Sequence, residues 1–285
     1  MYASRWFFFV LAVNACATGG TQTGPAVAAA QTSTSAKSDT GSVALRSPGC
    51  GKAAVGTSTY VRRTLMVQGT QREYFLYLPS TYDLNRAYPL VFRWHGSTGN
   101  GTSGGLAIEN ASKENAIIAS PSGLGGEWSF SESGPDVALF DMVLSNLSDE
   151  LCVDKRRIFS FGFSAGGYMS NLLACVRGNV IRAIAPVAGA LIGNNTCVGR
   201  VAAWMVHSAD DKAVPIAAGI AARDRITKAN ACAATTMPVP PSNCLAYDGC
   251  AADLPVVWCQ ITGPHGLTGL EFLGSGAWNF FAALR

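Results

Sequence analysis

The stretch Ile158-Phe159-Ser160-Phe161-Gly162-Phe163-Ser164-Ala165-Gly166-Gly167-Tyr168 constrains the fold more than any other part of this chain. It opens on an apolar run with strand character, turns at Gly162, presents one serine and turns again at Gly166. From Met169 to Val176 the pattern is helical. A strand, a tight turn carrying G-x-S-x-G and a helix together push a serine side chain out of a sharp corner. Glycine on each flank leaves room where a Cβ would collide, and it tolerates backbone angles that other residues resist. The N-terminus of the helix adds positive potential where an oxyanion would form. The plainer reading is a strand-to-helix turn in which Ser164 only caps the helix.

Around this stretch the chain divides into three parts. Arg5 precedes an apolar run, 6–13, that is too short to span a bilayer and fits the core of a signal peptide over 1–15. Val13-Asn14-Ala15-Cys16 resembles a bacterial lipobox, which would make Cys16 a lipid anchor and the only membrane attachment. Ala28-Ala29-Ala30 is the alternative cleavage site, and the lipoprotein reading is preferred. Residues 16–46 are mainly Thr, Ser, Gly, Gln and Ala, with too little apolar surface to fold, and read as a flexible tether. Residues 47–285 are the right size for one globular domain with a sizeable core.

Composition narrows the function classes. Charged residues make up 14% of the chain, against a usual quarter or so, and the net charge is only +3 with Lys and Arg scattered. Nucleic acid is therefore not an expected partner. There are nine cysteines. With Cys16 set aside, the even set that remains reads as a disulfide framework in an exported protein. No C-x-x-C pair is present, so nothing calls for a metal, and no organic cofactor is expected.

Apolar runs and helical patterns alternate along the domain. Strands are expected over 72–78, 88–94, 116–119, 157–161, 183–187, 202–207 and 255–261. Helices are expected over 105–115, 136–147, 164–176, 216–228 and 276–284. That alternation argues an α/β fold with a mostly parallel sheet. Ligands of such sheets sit beyond the carboxyl ends of the strands, where Ser164 falls.

Three further stretches could complete a catalytic site, and each holds one of the three histidines. His95-Gly96-Ser97-Thr98-Gly99-Asn100-Gly101 follows the second strand, and its backbone could aim N–H groups at an oxyanion. The donors are assigned to Ser97 and Ala165, with an ordinary loop as the plainer reading. Arg93 lies in the strand before it, a charge whose burial demands a partner, and pairing within the core is expected. His207-Ser208-Ala209-Asp210-Asp211-Lys212-Ala213-Val214-Pro215 follows the sixth strand and offers two acids, Asp210 and Asp211. Either could instead cap the next helix. Gly263-Pro264-His265-Gly266 follows the last strand, and a histidine there, after serine and acid in chain order, suits a general base. His95 and His207 sit at strand ends and read as structural.

Together these stretches resemble the esterase group that holds microbial feruloyl esterases, acetylxylan esterases and extracellular polyhydroxybutyrate depolymerases. Gly49-Cys50-Gly51-Lys52, Asp136-Val137-Ala138-Leu139-Phe140-Asp141 and Leu151-Cys152-Val153-Asp154 extend the similarity over nearly the whole chain after the tether. The resemblance implies an α/β-hydrolase fold, a mostly parallel sheet with helices on both faces. It also implies that the acid is Asp211, because His207, Asp211 and Val214 match a His-Gly-x-x-Asp-x-x-Val pattern in which Ser208 replaces the glycine. From the fungal feruloyl esterases of the group it implies the disulfides Cys50–Cys152, Cys175–Cys197 and Cys232–Cys250, leaving Cys244–Cys259.

The expected chemistry is acyl transfer to Ser164, with His265 as base, Asp211 orienting it, and Ser97 and Ala165 binding the oxyanion. Trp94, Trp128 and Tyr168 are the aromatic residues expected near the mouth, with Trp128 on a glycine-rich loop as a ring-stacking wall. The plainer reading packs Trp128 under that loop. The expected partner is an ester-bearing plant polysaccharide, then polyhydroxybutyrate or another polyester, met outside the cell by a monomer. A hydrolase-like binding protein without catalysis is the reading of another class.

Overall fold

The structure, a computed structural model, describes residues 44–193 and 196–284. The signal-peptide run, Cys16 and most of the tether lie outside the described residues. The domain is built on one sheet of ten strands in the order β1-β2-β4-β3-β5-β6-β7-β10-β9-β8. In chain order these are β1 (Tyr60–Val67), β2 (Thr70–Tyr77), β3 (Tyr88–Trp94), β4 (Ile117–Pro121) and β5 (Val153–Phe163). They continue as β6 (Ala183–Val187), β7 (Ala202–Ser208), β8 (Thr236–Val239), β9 (Cys244–Tyr247) and β10 (Val256–Ile261).

The middle of the sheet, from β4 through β3, β5, β6 and β7 to β10, is parallel. Antiparallel strands close it on both sides. Strands β3, β4, β6 and β7 are buried along their whole length. Parallel strands covered on both faces read as continuous apolar runs, which is why the sequence marked them.

Helices cover both faces, as the α/β-hydrolase fold requires. Leu90, Phe92 and Trp94 of β3 point into a core shared with α2 (Pro135–Glu150), α3 (Ala165–Val176) and α4 (Ile216–Ala229). Val91 points the other way, into a core closed by α1 (Ile108–Ser112) and α5 (Phe272–Ala283). Helix α2 starts with Pro135 at its first turn, where a missing N–H costs nothing. It buries Val137, Phe140, Val143 and Leu147 at helical spacing. On α5 the same logic selects Leu273, Ala277 and Phe281, with Phe281 stacked on Phe159 at 4.4 Å.

Several expectations shift. Strand β1 and the β8–β9 hairpin were not anticipated, since β1 carries Arg62 and Arg63 and is largely exposed, and β8 contains Pro238. Helix α5 begins at Phe272 rather than 276. Its glycines are contact points and not breakers: a Cβ on Gly274 would lie 2.5 Å from the Leu106 carbonyl, and one on Gly276 2.5 Å from the Trp204 ring. Leu45 and Arg46, placed in the tether, belong to the domain. Leu45 N–H donates to Asp154 Oδ1 at 3.1 Å, and Arg46 bridges Asp154.

Among the described residues there are four disulfides, Cys50–Cys152, Cys175–Cys197, Cys232–Cys250 and Cys244–Cys259. The first fastens the N-terminal segment to the start of β5, and the last joins paired residues of β9 and β10.

Candidate active site

Ser164 occupies the single residue between β5 and α3. Its backbone angles are φ 54 and ψ −119, a conformation that costs a non-glycine residue of order 1–3 kcal/mol. The strain sits on the serine. Gly162 and Gly166 are not among the positive-φ residues, and they are needed for space. A Cβ on Gly162 would lie 2.3 Å from the Gly166 carbonyl oxygen, and one on Gly166 2.2 Å from that of Trp94. The corner is held from below. Ser164 N–H donates to Val187 O at 2.9 Å, Trp94 Nε1–H donates to Ser160 Oγ at 2.9 Å, and Ser160 O–H donates to Ser170 Oγ at 2.9 Å.

His265 and Asp211 reach this serine from the loops after β10 and β7. Ser164 Oγ lies 2.9 Å from His265 Nε2, and His265 Nδ1 lies 2.6 Å from Asp211 Oδ2. Asp211 is buried, and its Oδ1 accepts N–H bonds from Ala213 at 2.9 Å and Val214 at 2.8 Å. Burial raises the pKa of this carboxyl, but the His265 hydrogen bond, the backbone donors and the charge of His265 outweigh it, so the net shift is downward. Asp211 is thus an anion held against an imidazole whose other nitrogen faces a serine hydroxyl. The ring of His265 also stacks on Phe163, centroids 4.9 Å apart.

The two candidate acids have different partners. Asp210 does not reach His265; its Oδ2 accepts the Gly263 N–H at 3.0 Å. His207 is structural in form: it is buried, donates from Nε2 to the Val214 carbonyl at 2.8 Å, and stacks on Trp258. His95 is likewise enclosed. Gly123 N–H donates to its Nε2 at 2.9 Å, leaving Nδ1–H for the Gly96 carbonyl at 2.7 Å, and burial lowers its pKa.

The loop after β3 lies against the serine. A Cβ on Gly96 would come 3.5 Å from Ser164 Cβ and 3.3 Å from Phe163. The N–H groups of Ser97 and Ala165 find no acceptor among the described residues, which leaves both free for an incoming oxygen. Of the three aromatic residues expected at the mouth, Trp94 lies in the wall of the cavity beside Gly96 and Phe163, although its side chain is enclosed, and Trp128 lies beneath the loop. Trp94 is 0% and Trp128 6% exposed. Trp128 packs edge-on against Trp94 and donates Nε1–H to the His95 carbonyl at 2.9 Å, so it supports the loop from beneath. Tyr168 is half-buried against Phe130 and near Asp211; burial first and that carboxylate second raise its pKa. Arg93 is paired inside, with Ser120 Oγ, the Gly101 carbonyl and Glu109, under the ring of Tyr60.

Beside Gly96 and Phe163 opens a cavity of about 340 Å³. Its walls include Ser97, Thr98, Asn100, Gly104, Leu106 and Leu267. Sequence reasoning missed Phe163 and Leu267. The signal for Phe163 was its place inside the serine motif, and for Leu267 its nearness to His265. Among the described residues, no three His, Cys, Asp or Glu side chains are placed to hold a metal ion.

Such an arrangement can move a serine proton to an imidazole. Known proteins can be set beside it. No family model matches the chain. Feruloyl esterase D of Neurospora crassa is 34% identical over 265 residues, covering 83% of this chain and 90% of that protein. Probable feruloyl esterase C of Aspergillus niger is 32% identical, covering 83% and 91%. Among solved structures, the acetyl xylan esterase from Aspergillus awamori aligns with a TM-score of 0.63 at 15% identity, covering 78% of this chain and 99% of that one, a likeness of fold.

Proposed function

This chain belongs to the feruloyl esterase family, and from that premise we propose an exported serine esterase that hydrolyses feruloyl esters of plant cell-wall polysaccharide. That it is a carboxylic ester hydrolase comes with the family. The observation that carries the mechanism is the line Ser164 Oγ, His265 Nε2, His265 Nδ1, Asp211 Oδ2, with separations of 2.9 and 2.6 Å at its two hydrogen bonds.

His265 takes the Ser164 proton as the hydroxyl oxygen attacks the ester carbonyl. Asp211 keeps the proton on Nδ1, so that Nε2 is the free base, and stabilises the imidazolium that forms. The N–H groups of Ala165 and Ser97 bind the tetrahedral oxyanion, each contributing roughly 3 kcal/mol in the transition state. His265 then returns its proton to the leaving sugar oxygen. Water, deprotonated by the same imidazole, releases the acid and restores the serine.

The aromatic acyl group lies in the cavity beside Gly96 and Phe163. At about 340 Å³ it is at the small end of the roughly 300–1,000 Å³ range of small-molecule sites. It is larger than an acetyl group needs. Phe163, Leu106 and Leu267 offer it apolar surface, and Thr98, Asn100 and Ser103 offer polar groups for ring substituents. Four disulfides fit an extracellular destination.

The test is hydrolysis of methyl ferulate, p-nitrophenyl acetate and a hydroxybutyrate oligomer by the purified protein, with Ser164→Ala alongside. We expect the highest kcat/KM on methyl ferulate and none from the variant. Activity that survives Ser164→Ala refutes the mechanism, and preference for the acetate or the oligomer refutes the ferulate reading.

A further inference from the structure

Asp210 and Asp211 are adjacent carboxylates, and only one touches His265. The other reaches the backbone of the same loop. Asp210 Oδ2 accepts the Gly263 N–H at 3.0 Å. Ser208 O–H donates to the Gly263 carbonyl at 2.5 Å, and Ser208 Oγ in turn accepts the Asp210 N–H at 3.2 Å. Both polar groups of Gly263 are therefore tied to the loop that carries Asp211. The ties close a ring: Ser208 to Gly263, Gly263 to Asp210, Asp210 back to Ser208. One step earlier, Ala209 N–H donates to the Ile261 carbonyl at 2.9 Å and continues the pairing of β7 with β10.

His265 is held at its ring by Asp211, Ser164 and Phe163, and Leu267 packs against the core, but the backbone on either side of the histidine is open. A Cβ on Gly263 or on Gly266 would meet nothing within 4 Å, so no side-chain packing clamps those positions. Gly263 has φ +111, which leaves the loop with a residue of wide conformational freedom two positions before the histidine. A loop of that kind is held by its polar ties. We propose that Ser208 and Asp210 are positioning residues, a clamp on Gly263 that sets the reach of His265 toward Asp211 and Ser164. The clamp rests on the mechanism proposed above for Ser164, His265 and Asp211.

A displacement of about 1 Å in a catalytic group can cost on the order of a hundredfold in rate. Asp210→Ala and Ser208→Ala should each lower kcat by at least about tenfold with KM on methyl ferulate unchanged. Asp210→Asn keeps an oxygen for the Gly263 N–H while removing the charge, and it should stay within about threefold of the parent kcat. In an Asp211→Asn background there is no carboxylate to align with the imidazole, and Asp210→Ala should add less than about twofold.

Three results overturn the clamp: unchanged kcat in both alanine variants, an Asp210→Asn variant as slow as Asp210→Ala, or a cost of Asp210→Ala that is the same in both backgrounds. Thermal melts accompany each variant. If Asp210→Ala does not fold, Ser208→Ala and Asp210→Asn carry the test through their kcat. Asp211→Asn also separates the two levels: full activity there removes the underlying mechanism, whereas a loss there with none at Ser208 and Asp210 removes the clamp alone.

Discussion

Asp211 Oδ2 lies 2.6 Å from His265 Nδ1 while its Oδ1 takes the backbone N–H groups of Ala213 and Val214. Both oxygens are thus occupied, and the carboxyl is held ionised with a pKa below its ordinary 3.8 despite burial. A carboxyl whose pKa is depressed in the folded state stabilises that state above the unfolded value and loses the contribution as pH falls through the folded one. The stability gap between the parent and Asp211→Asn should therefore be widest near neutrality and shrink below about pH 4. Urea titrations across pH measure it, and a gap that does not change with pH contradicts the ionic role. The same variant should lose on the order of 10⁴-fold in kcat, because an asparagine amide favours the wrong imidazole tautomer.

Ser164 holds φ 54 without being glycine. Replacing it by glycine removes the Cβ that makes this conformation costly. We expect Ser164→Gly to be about 1 kcal/mol more stable than Ser164→Ala, with both inactive. Thermal or chemical unfolding of the two variants decides. Equal stability would mean that the elbow carries no strain.

The cavity and Trp128 make opposite claims on the aromatic ring. Gly104 lines the cavity, and a Cβ there meets nothing within 4 Å, so Gly104→Phe can add a ring without moving backbone. It should lower kcat/KM on methyl ferulate by about tenfold or more and change p-nitrophenyl acetate by less than about threefold. Trp128→Phe removes the bond to the His95 carbonyl and should cost about 1 kcal/mol of stability. It should leave the ratio of the two substrates unchanged. A selective loss of ferulate in Trp128→Phe would return the ring site to that residue.

Asp136 stabilises the same region at a distance. Its Oδ1 accepts Arg72 Nη2–H at 2.5 Å and its Oδ2 the Ser129 N–H at 2.5 Å, with both ionic side chains buried. Removing one partner of a buried pair leaves the other charge unanswered, at about 3–5 kcal/mol. Asp136→Ala should show that loss in denaturant melts. Arg72→Met together with Asp136→Leu should recover much of it.

The reach of sequence reasoning followed burial. Strands β3 and β6 were legible to the residue because every position in them is apolar or enclosed. Strand β1 and the β8–β9 hairpin escaped notice because their pairing is backbone-driven and their side chains are largely in solvent. Ser164 was legible from the two glycines beside it. His265 stood out as a glycine-flanked histidine after the last strand. The choice between Asp210 and Asp211 could not be read from the residues themselves, since two adjacent loop carboxylates look alike until their partners are known. Trp128 stayed between two readings for a related reason: a tryptophan on a glycine-rich loop can face out or under, and the direction depends on the His95 carbonyl, thirty-three positions away.

Ser164, Asp211 and His265 each begin where a parallel strand stops, whereas the cavity wall is drawn chiefly from the segment between β3 and α1, with Leu267 opposite. The two parts can change at different speeds. Surface segments of this kind absorb insertions and deletions at little cost in closure entropy. A descendant of this chain could lengthen or shorten that connection beyond Ser97 and pass to a different ester while its proton path and oxyanion donors stayed as inherited.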